Sequence, residues 1–323
     1  GKRQARAAEA GSRCRSVSGG DPDPNSRVFA CEIGASGFDS LGALMDTEVP
    51  DAAIVATPTL THFDVTRRLV EAGVVVLLEK PIAGDLEQAR KIVDLSQQSG
   101  VRICIGHHRR HNPLTDRART IVQNGDLGKL VGVNALWALT KHHGYFELDW
   151  HVQPGAGPIL SNLIHDLDVL RYVCGEIDSI FARTSSEHQG YAVEDTFALV
   201  IGFSSGAMGT MIGSDSVASP WAWDTTTGEY PMFPAHDEAC YHFLGTDESL
   251  AFPQMEVWKY GSPGDPNWFT KLRAERRAGD SGTPLERQLQ HLCDLTLGRA
   301  EPVVSAKDAA RSRQSTPCNR VLL

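Results

Sequence analysis

In the first third of the chain, apolar residues come in short continuous runs rather than in alternation. Residues 52–57, 74–78 and 101–106 are such runs, rich in Val, Ile, Leu and Ala. A run that is apolar on both faces predicts a strand buried in a parallel sheet. Helical patterns separate them. One covers residues 61–72 and stops at Gly73; another follows the N-cap Asp85 and runs to Ser99, stopped by Gly100. A weaker strand at 15–19 precedes Gly20-Asp21-Pro22-Asp23-Pro24, and residues 1–10 have good helix composition. Strand and helix alternating at this spacing predict an α/β fold with a doubly wound parallel sheet of the Rossmann type.

Beyond Asn112-Pro113 the pattern changes. One helix is predicted over 113–124, then strands over 130–139, 177–187, 194–203 and 207–214, with further β segments at 241–244 and 255–260. Ser204-Ser205-Gly206 is a short turn, so the two strands around it read as a hairpin. Helices are expected over 284–297 and from Ser305, although the second shows no apolar face beyond residue 311. The second half thus reads as an α+β domain on a mainly antiparallel open sheet. The expected division is 1–112 and 113–323.

Composition narrows the function classes. A length of 323 residues fits two domains. Acidic residues outnumber basic ones, 40 to 31, with no basic stripe, which argues against nucleic-acid or anionic-membrane binding. Seven cysteines occur singly, without a Cys-x-x-Cys pair, so no disulfide framework is expected and a reducing compartment is. No apolar run reaches membrane-spanning length and no signal-peptide core is visible, so the expected location is cytoplasmic.

Two segments carry chemistry. The run 74–78 ends abruptly in Glu79-Lys80-Pro81. Ligands of open α/β sheets sit beyond the carboxyl ends of the strands, so Lys80 is expected to face a binding crevice; a strand-end lysine reaching solvent is the plainer alternative. Pro81 restricts the local backbone, with a cis Lys80–Pro81 bond as one way of doing so. The second segment begins at Gly155-Ala-Gly-Pro158, becomes helical and ends at Gly175. His165, Asp168 and Tyr172 fall on one face of that helix.

These segments, with Thr57-Pro58 followed by His62 and with Gly106-His-His-Arg-Arg-His-Asn-Pro113, resemble the glucose-fructose oxidoreductase/inositol dehydrogenase/rhizopine-catabolism (Gfo/Idh/MocA) family of nicotinamide-dependent oxidoreductases. The likeness runs from Gly1 to about Arg311. It implies an enzyme moving a hydride between NAD and a secondary alcohol of a sugar, cyclitol or related polyol. Lys80 and His165 are its catalytic candidates: a fixed positive charge beside the hydroxyl oxygen, and a group that exchanges protons near neutrality. Relatives carry an aspartate four positions before the histidine; here that position is Ser161, followed by Asn162. Asp168 is the expected partial substitute, with a pairing to Arg171 or Tyr172 as the alternative. Ser161 and Asn162 remain suited to hydrogen-bonding a polyol.

Thr57, Pro58, His62, Glu79, Lys80 and Arg109 are the expected cofactor contacts. A Rossmann turn needs glycines, and an acid about twenty residues later. Asp21 stands twenty positions after Gly1, which puts Gly1 as the last glycine of that turn, with the first strand and the earlier glycines expected upstream of the sequence as given. Asp21 would then bind the ribose hydroxyls and favour NAD over NADP; a turn aspartate capping its own loop is the alternative. Asn112 and Trp150 complete the expected substrate contacts with Lys80, Ser161, Asn162 and His165. Trp150 would stack on a sugar face, or be the single buried aromatic of a solvated loop. His107, His108, His111, or His165 with Asp168, could ligate a metal, but their spacing does not set up a tetrahedral site and no metal is expected. The open sheet implies a homo-oligomer by analogy with relatives. A non-catalytic, sugar-sensing relative or an inactive truncated product is the rival reading.

Overall fold

The structure, a computed structural model, describes residues 4–7, 18–153, 156–261, 266–277 and 282–316. The chain divides into two units, Gly1–Asn112 with Gly282–Gln314, and Pro113–Ser281 with Ser315–Leu323.

In the first unit, β1 (Ser18–Gly20), α1 (Pro24–Glu32) and β2 (Ser36–Phe38) form a small βαβ step, with β1 and β2 parallel. Asp23 caps α1 by accepting from the Asn25 amide, and Pro24 sits in the first turn where its missing N–H costs nothing. After α2 (Leu41–Thr47) comes β3 (Ala52–Val55), then α3 (His62–Glu71), β4 (Val75–Leu78), α4 (Leu86–Ser99) and β5 (Ile103–Ile105). The last three strands are parallel in the order β3-β4-β5. Among the described residues the parallel strands therefore form two ladders, β1-β2 and β3-β4-β5. Asp85 caps α4 through the Gln88 amide at 2.8 Å, and Gly100 ends it in the left-handed region at φ 71°.

The C-terminal helices α7 (Pro284–Thr296) and α8 (Ala306–Ser315) complete this first unit, which corrects the division at 113–323. Leu292 and Leu295 pack with Leu77 and Cys104, while Val304, Ala306 and Ala309 enter the core of Val76, Ile92 and Ile105. The Ile105 amide donates to the Val304 carbonyl at 2.9 Å, and Arg110 pairs with Asp308. The buried residues of α8 are Ala306, Ala309, Ser312 and Arg313, so hydropathy alone does not reveal its inward face.

The second unit is an eight-stranded sheet in the order β13-β12-β11-β10-β6-β9-β8-β7. Its strands are β6 (Leu130–Ala138), β7 (Ile177–Ser185), β8 (Thr196–Phe203), β9 (Met208–Ser214), β10 (Tyr241–Gly245), β11 (Glu248–Phe252), β12 (Glu256–Tyr260) and β13 (Leu272–Arg276). All neighbours are antiparallel except β6 and β9, which run parallel. Helices α5 (Pro113–Gln123) and α6 (Ile164–Cys174) bury Ile121, Leu167 and Leu170 in the same core as Phe197, Ile201 and Phe243 of the sheet. Trp223, Tyr241 and Phe252 form its aromatic centre, with Tyr241 and Phe252 stacked at 5.6 Å.

Among the described residues no helix is long and apolar enough to cross a membrane. Cys31, Cys104, Cys174 and Cys240 are free thiols.

Candidate active site

The first unit gathers the predicted cofactor residues at the carboxyl ends of β3, β4 and β5. Strand β4 ends in Leu78, and the Lys80–Pro81 bond that follows is cis. The Glu79 amide donates to the Val55 carbonyl at 2.9 Å and the Gly106 amide to Leu78 at 2.7 Å, so three strand ends are tied side by side. Gly106 fits closely there. A Cβ at that position would stand 3.1 Å from the Glu79 carboxyl group, tighter than ordinary contact. Gln4 donates to the same carboxylate. Lys80 is partly exposed beside it.

The His62 ring is buried, with Nε2 3.0 Å from the Thr57 carbonyl and Nδ1 3.1 Å from that of Pro81. A neutral ring donates to one of these two oxygens, and either bond ties His62 to the ends of β3 and β4. Thr57 is half-buried, its hydroxyl 2.8 Å from that of Thr61, and Pro58 is exposed. Asp21 is exposed after β1, and its Oδ1 accepts from the Asp23 amide at 2.8 Å. The turn-capping alternative is therefore present, and it engages one carboxylate oxygen.

After β5 the chain makes a 3-10 turn, His108–His111, that buries Arg109, Arg110 and His111. Arg110 has a structural role, in an ion pair with Asp308. His111 packs against the His291 ring at 5.3 Å; burial and then the charge of His291 push its pKa down to about 3. Asn112 is buried, its amide donating to the Arg109 carbonyl. Gly1 and the Trp150 side chain lie outside what the structure describes.

In the second unit, residues Ile159–Leu163 form a π-helical turn that leads into α6. Such wide turns inside helices recur at functional sites, because the extra residue shifts the side chains that follow. His165, Asp166 and Asp168 are buried, and Ser161 and Asn162 half-buried. Asp166 accepts from the Tyr241 hydroxyl, anchoring the helix to the aromatic core. Arg171 forms an ion pair with Glu176 at 2.9 Å, and the Tyr172 hydroxyl donates to Asp116 at 3.3 Å on α5. Both alternative partners of Asp168 are thus engaged elsewhere as well.

At the start of this helix lies a cluster that sequence reasoning did not assemble. Lys141 Nζ is 3.4 Å from Asp215 Oδ2 and 4.3 Å above the Tyr145 ring. The Tyr145 hydroxyl is hydrogen-bonded to Ser161, and its ring stacks on His151 at 3.8 Å. Glu194 accepts from the Ile159 amide at 2.9 Å, placing a carboxylate on the positive end of the helix. Burial lowers the Lys141 pKa against the opposing pull of Asp215, and burial with Asp215 raises that of Tyr145. Lys141 and Asp215 are 74 positions apart, so no local spacing could have paired them. Among the described residues no group of three His, Cys, Asp or Glu is arranged to hold a metal.

A parallel β-α unit with its strand ends assembled into a rim, joined in sequence to an open antiparallel sheet, is the architecture of a two-domain dinucleotide-dependent oxidoreductase. Residues 1–107 match the profile of the oxidoreductase family with the NAD-binding Rossmann fold, and residues 115–250 match the GFO/IDH/MocA C-terminal domain. The chain belongs to the Gfo/Idh/MocA family. It is 27% identical over 168 residues to the rhizopine catabolism protein MocA of Rhizobium meliloti, covering 52% of this chain and 51% of that protein. It is 28% identical over 179 residues to a scyllo-inositol 2-dehydrogenase (NAD(+)) of Bacillus subtilis, covering 54% and 51%. The matches thus span about half the length of these curated relatives. Among solved structures, the WlbA dehydrogenase of Bordetella pertussis, in complex with NADH and UDP-GlcNAcA, superposes with a TM-score of 0.76 at 20% identity, covering 98% of this chain and 91% of that one. An Agrobacterium radiobacter oxidoreductase in complex with NAD+, L-tartaric acid and magnesium gives 0.79 at 16%, covering 98% and 90%. At that identity the likeness concerns the fold.

Proposed function

We propose that the protein is an NAD-dependent oxidoreductase that takes a hydride from, or returns it to, a secondary carbinol carbon of a sugar, cyclitol or related polyol. The observation that carries this reading is the rim at the ends of β3, β4 and β5, where Gly106 lets the Glu79 carboxyl group approach closely, next to Lys80 in the chain. A dinucleotide would lie beyond these strand ends, where ligands of open α/β sheets bind. Thr57, Pro58, Glu79, Lys80 and Arg109 would hold it, with Asp21 offering its remaining carboxylate oxygen to the ribose. A carboxylate there repels a 2′-phosphate, so NAD is favoured over NADP. When bound, NAD supplies the hydride acceptor.

The chain's own residues then have to handle one proton. Oxidation of the alcohol breaks its C–H and O–H bonds; the hydride leaves with the cofactor, the proton goes to a base, and a ketone forms. His165 is the proposed base and Lys80 the charge that stabilises the developing alkoxide. Ser161, Asn162 and Asn112 are proposed as substrate hydrogen-bonding groups, and Asp168 as the carboxylate that supports His165.

The test is a spectrophotometric assay of nicotinamide reduction across cyclitols, aldoses and sugar alcohols. At least one should be oxidised, and Lys80→Ala and His165→Ala should each lower turnover about 100-fold or more while NAD binding changes little. Absence of turnover with every polyol, in a chain that binds NAD, would favour the non-catalytic reading.

A further inference from the structure

We propose that Glu194 is a positioning residue: its carboxylate fixes the π-helical turn Ile159–Leu163 and, through it, the placement of Ser161, Asn162 and His165. The proposal deepens the reading above and rests on it only for the reaction that His165 serves. A π turn is a rare conformation that persists where its surroundings hold it. Here the hold comes from another part of the chain.

Pro158, which precedes the turn, offers no side-chain cap. The Ile159 amide instead donates to Glu194 Oε1 at 2.9 Å, across 35 positions of sequence. Gly157 makes that approach possible. It is buried, and a Cβ there would stand 2.6 Å from Glu194 Oε2. The Gly157 carbonyl in turn accepts from the Ser161 amide at 3.1 Å and from Ser161 Oγ at 2.9 Å. Ser161 Oγ also lies 2.8 Å from Asn162 Oδ1. Contacts therefore run without a break from Glu194 through Gly157 to Ser161 and Asn162, and His165 follows Ser161 by one helical turn.

The other end of the anchor is fixed by Asp195, the next residue. Its amide donates to the Ser185 carbonyl of β7 at 2.9 Å, and its carbonyl accepts from the Asp215 amide after β9 at 3.1 Å. Its carboxylate accepts from the His188 and Gln189 amides at 3.0 and 2.9 Å and from the Thr196 hydroxyl of β8 at 2.7 Å. Glu194 is thus held at the ends of three strands, and it passes that reference to the start of the His165 helix. Glutamine keeps an accepting oxygen without the charge, so Glu194→Gln retains the cap that Glu194→Ala removes.

The test uses the full chain labelled with 13C at histidine Cε1. Of the twelve histidines, His165 is assigned by the NMR signal lost in His165→Gln. That signal should move in Glu194→Ala and return close to its parental position in Glu194→Gln, which a role in stability alone would not produce. With a polyol that the parent chain oxidises, Glu194→Ala should lower kcat roughly 10-fold or more, leave KM for NAD within about 2-fold, and be largely rescued in Glu194→Gln. Should Glu194→Ala fail to fold, Gly157→Ala, which displaces the carboxylate without removing it, carries the same test. An unmoved His165 signal, unchanged turnover, or a glutamine variant that behaves like the alanine one overturns the proposal. Absence of turnover by the parent chain counts against the redox reading alone, because the His165 signal judges the placement without it.

Discussion

Glu79 and Gly106 meet across the ends of β4 and β5 with no room between them: a Cβ on Gly106 would also lie 3.2 Å from the Glu79 Cα. Because that neighbour is backbone, a side chain at 106 needs a strand end to give by a few tenths of an ångström. Gly106→Ala is expected to cost about 1–3 kcal/mol of stability, as overpacking does, and to weaken NAD binding. Gly84→Ala, whose Cβ would meet Leu60 at an ordinary 3.5 Å, is the control. Denaturant midpoints and NAD titrations of both variants check this.

Glu194 and Gly157 act together at the start of the His165 helix. Removing the carboxylate that caps the Ile159 amide should cost about 1 kcal/mol. A Cβ at Gly157 would come within 2.6 Å of Glu194 Oε2, so Gly157→Ala displaces the same cap. The double variant Gly157→Ala/Glu194→Ala should then be about as stable as either single one, and a double-mutant cycle on unfolding free energies reads the coupling. Simple additivity would separate the two residues.

His111 sets an acid limit on stability. Its pKa falls from the ordinary 6.5 to about 3 in the folded chain, through burial first and then through His291, His108, Arg110 and Arg287. The unfolded state therefore binds the proton more tightly. Stability is full above pH 6.5 and is lost as pH falls from there towards 3, by up to about 1.4 kcal/mol per pH unit. His111→Gln should flatten the difference between urea midpoints at neutral and mildly acidic pH. An unchanged difference would mean that the imidazole accepts its proton in the folded state.

Asp308 tests where the C-terminal helices belong. It faces the Arg110 guanidinium, whose side chain is 5% exposed while Asp308 itself is 25% exposed. Asp308→Ala leaves a buried charge with less compensation and is expected to destabilise the first unit by about 2 kcal/mol, below the full cost of an enclosed pair. Hydrogen exchange should show the loss in β4, β5 and α8.

Much of this was legible in the sequence because the signals are local. Apolar runs that end in Glu79-Lys80-Pro81, the Asp85 and Gly100 ends of α4, and the Ser204-Ser205-Gly206 turn each lie within a few residues of the structure they specify. The weak strand at 15–19 overlaps β1, but α1 and β2 were passed over: β2 is three residues long and α1 buries only Ala30. Helix α8 hid its membership behind a face of alanine, serine and a buried arginine. The carbonyls of Thr57 and Pro81 that lie opposite the His62 ring nitrogens could not be read from its spacing. The Lys141–Asp215 pair joins the loop after β6 to the end of β9, and β6 and β9 are neighbours only because they pair in parallel. Nothing within either segment announces the other.

The most direct test of the central claim is to follow the hydride itself. A cyclitol or sugar that the chain turns over, deuterated at its carbinol carbon, should give NAD reduced with deuterium at the nicotinamide C4, one equivalent per ketone formed, and Lys80→Ala should suppress both products together. Ketone formation without deuterium on the nicotinamide, or deuterated cofactor at the same rate without Lys80, would contradict the account.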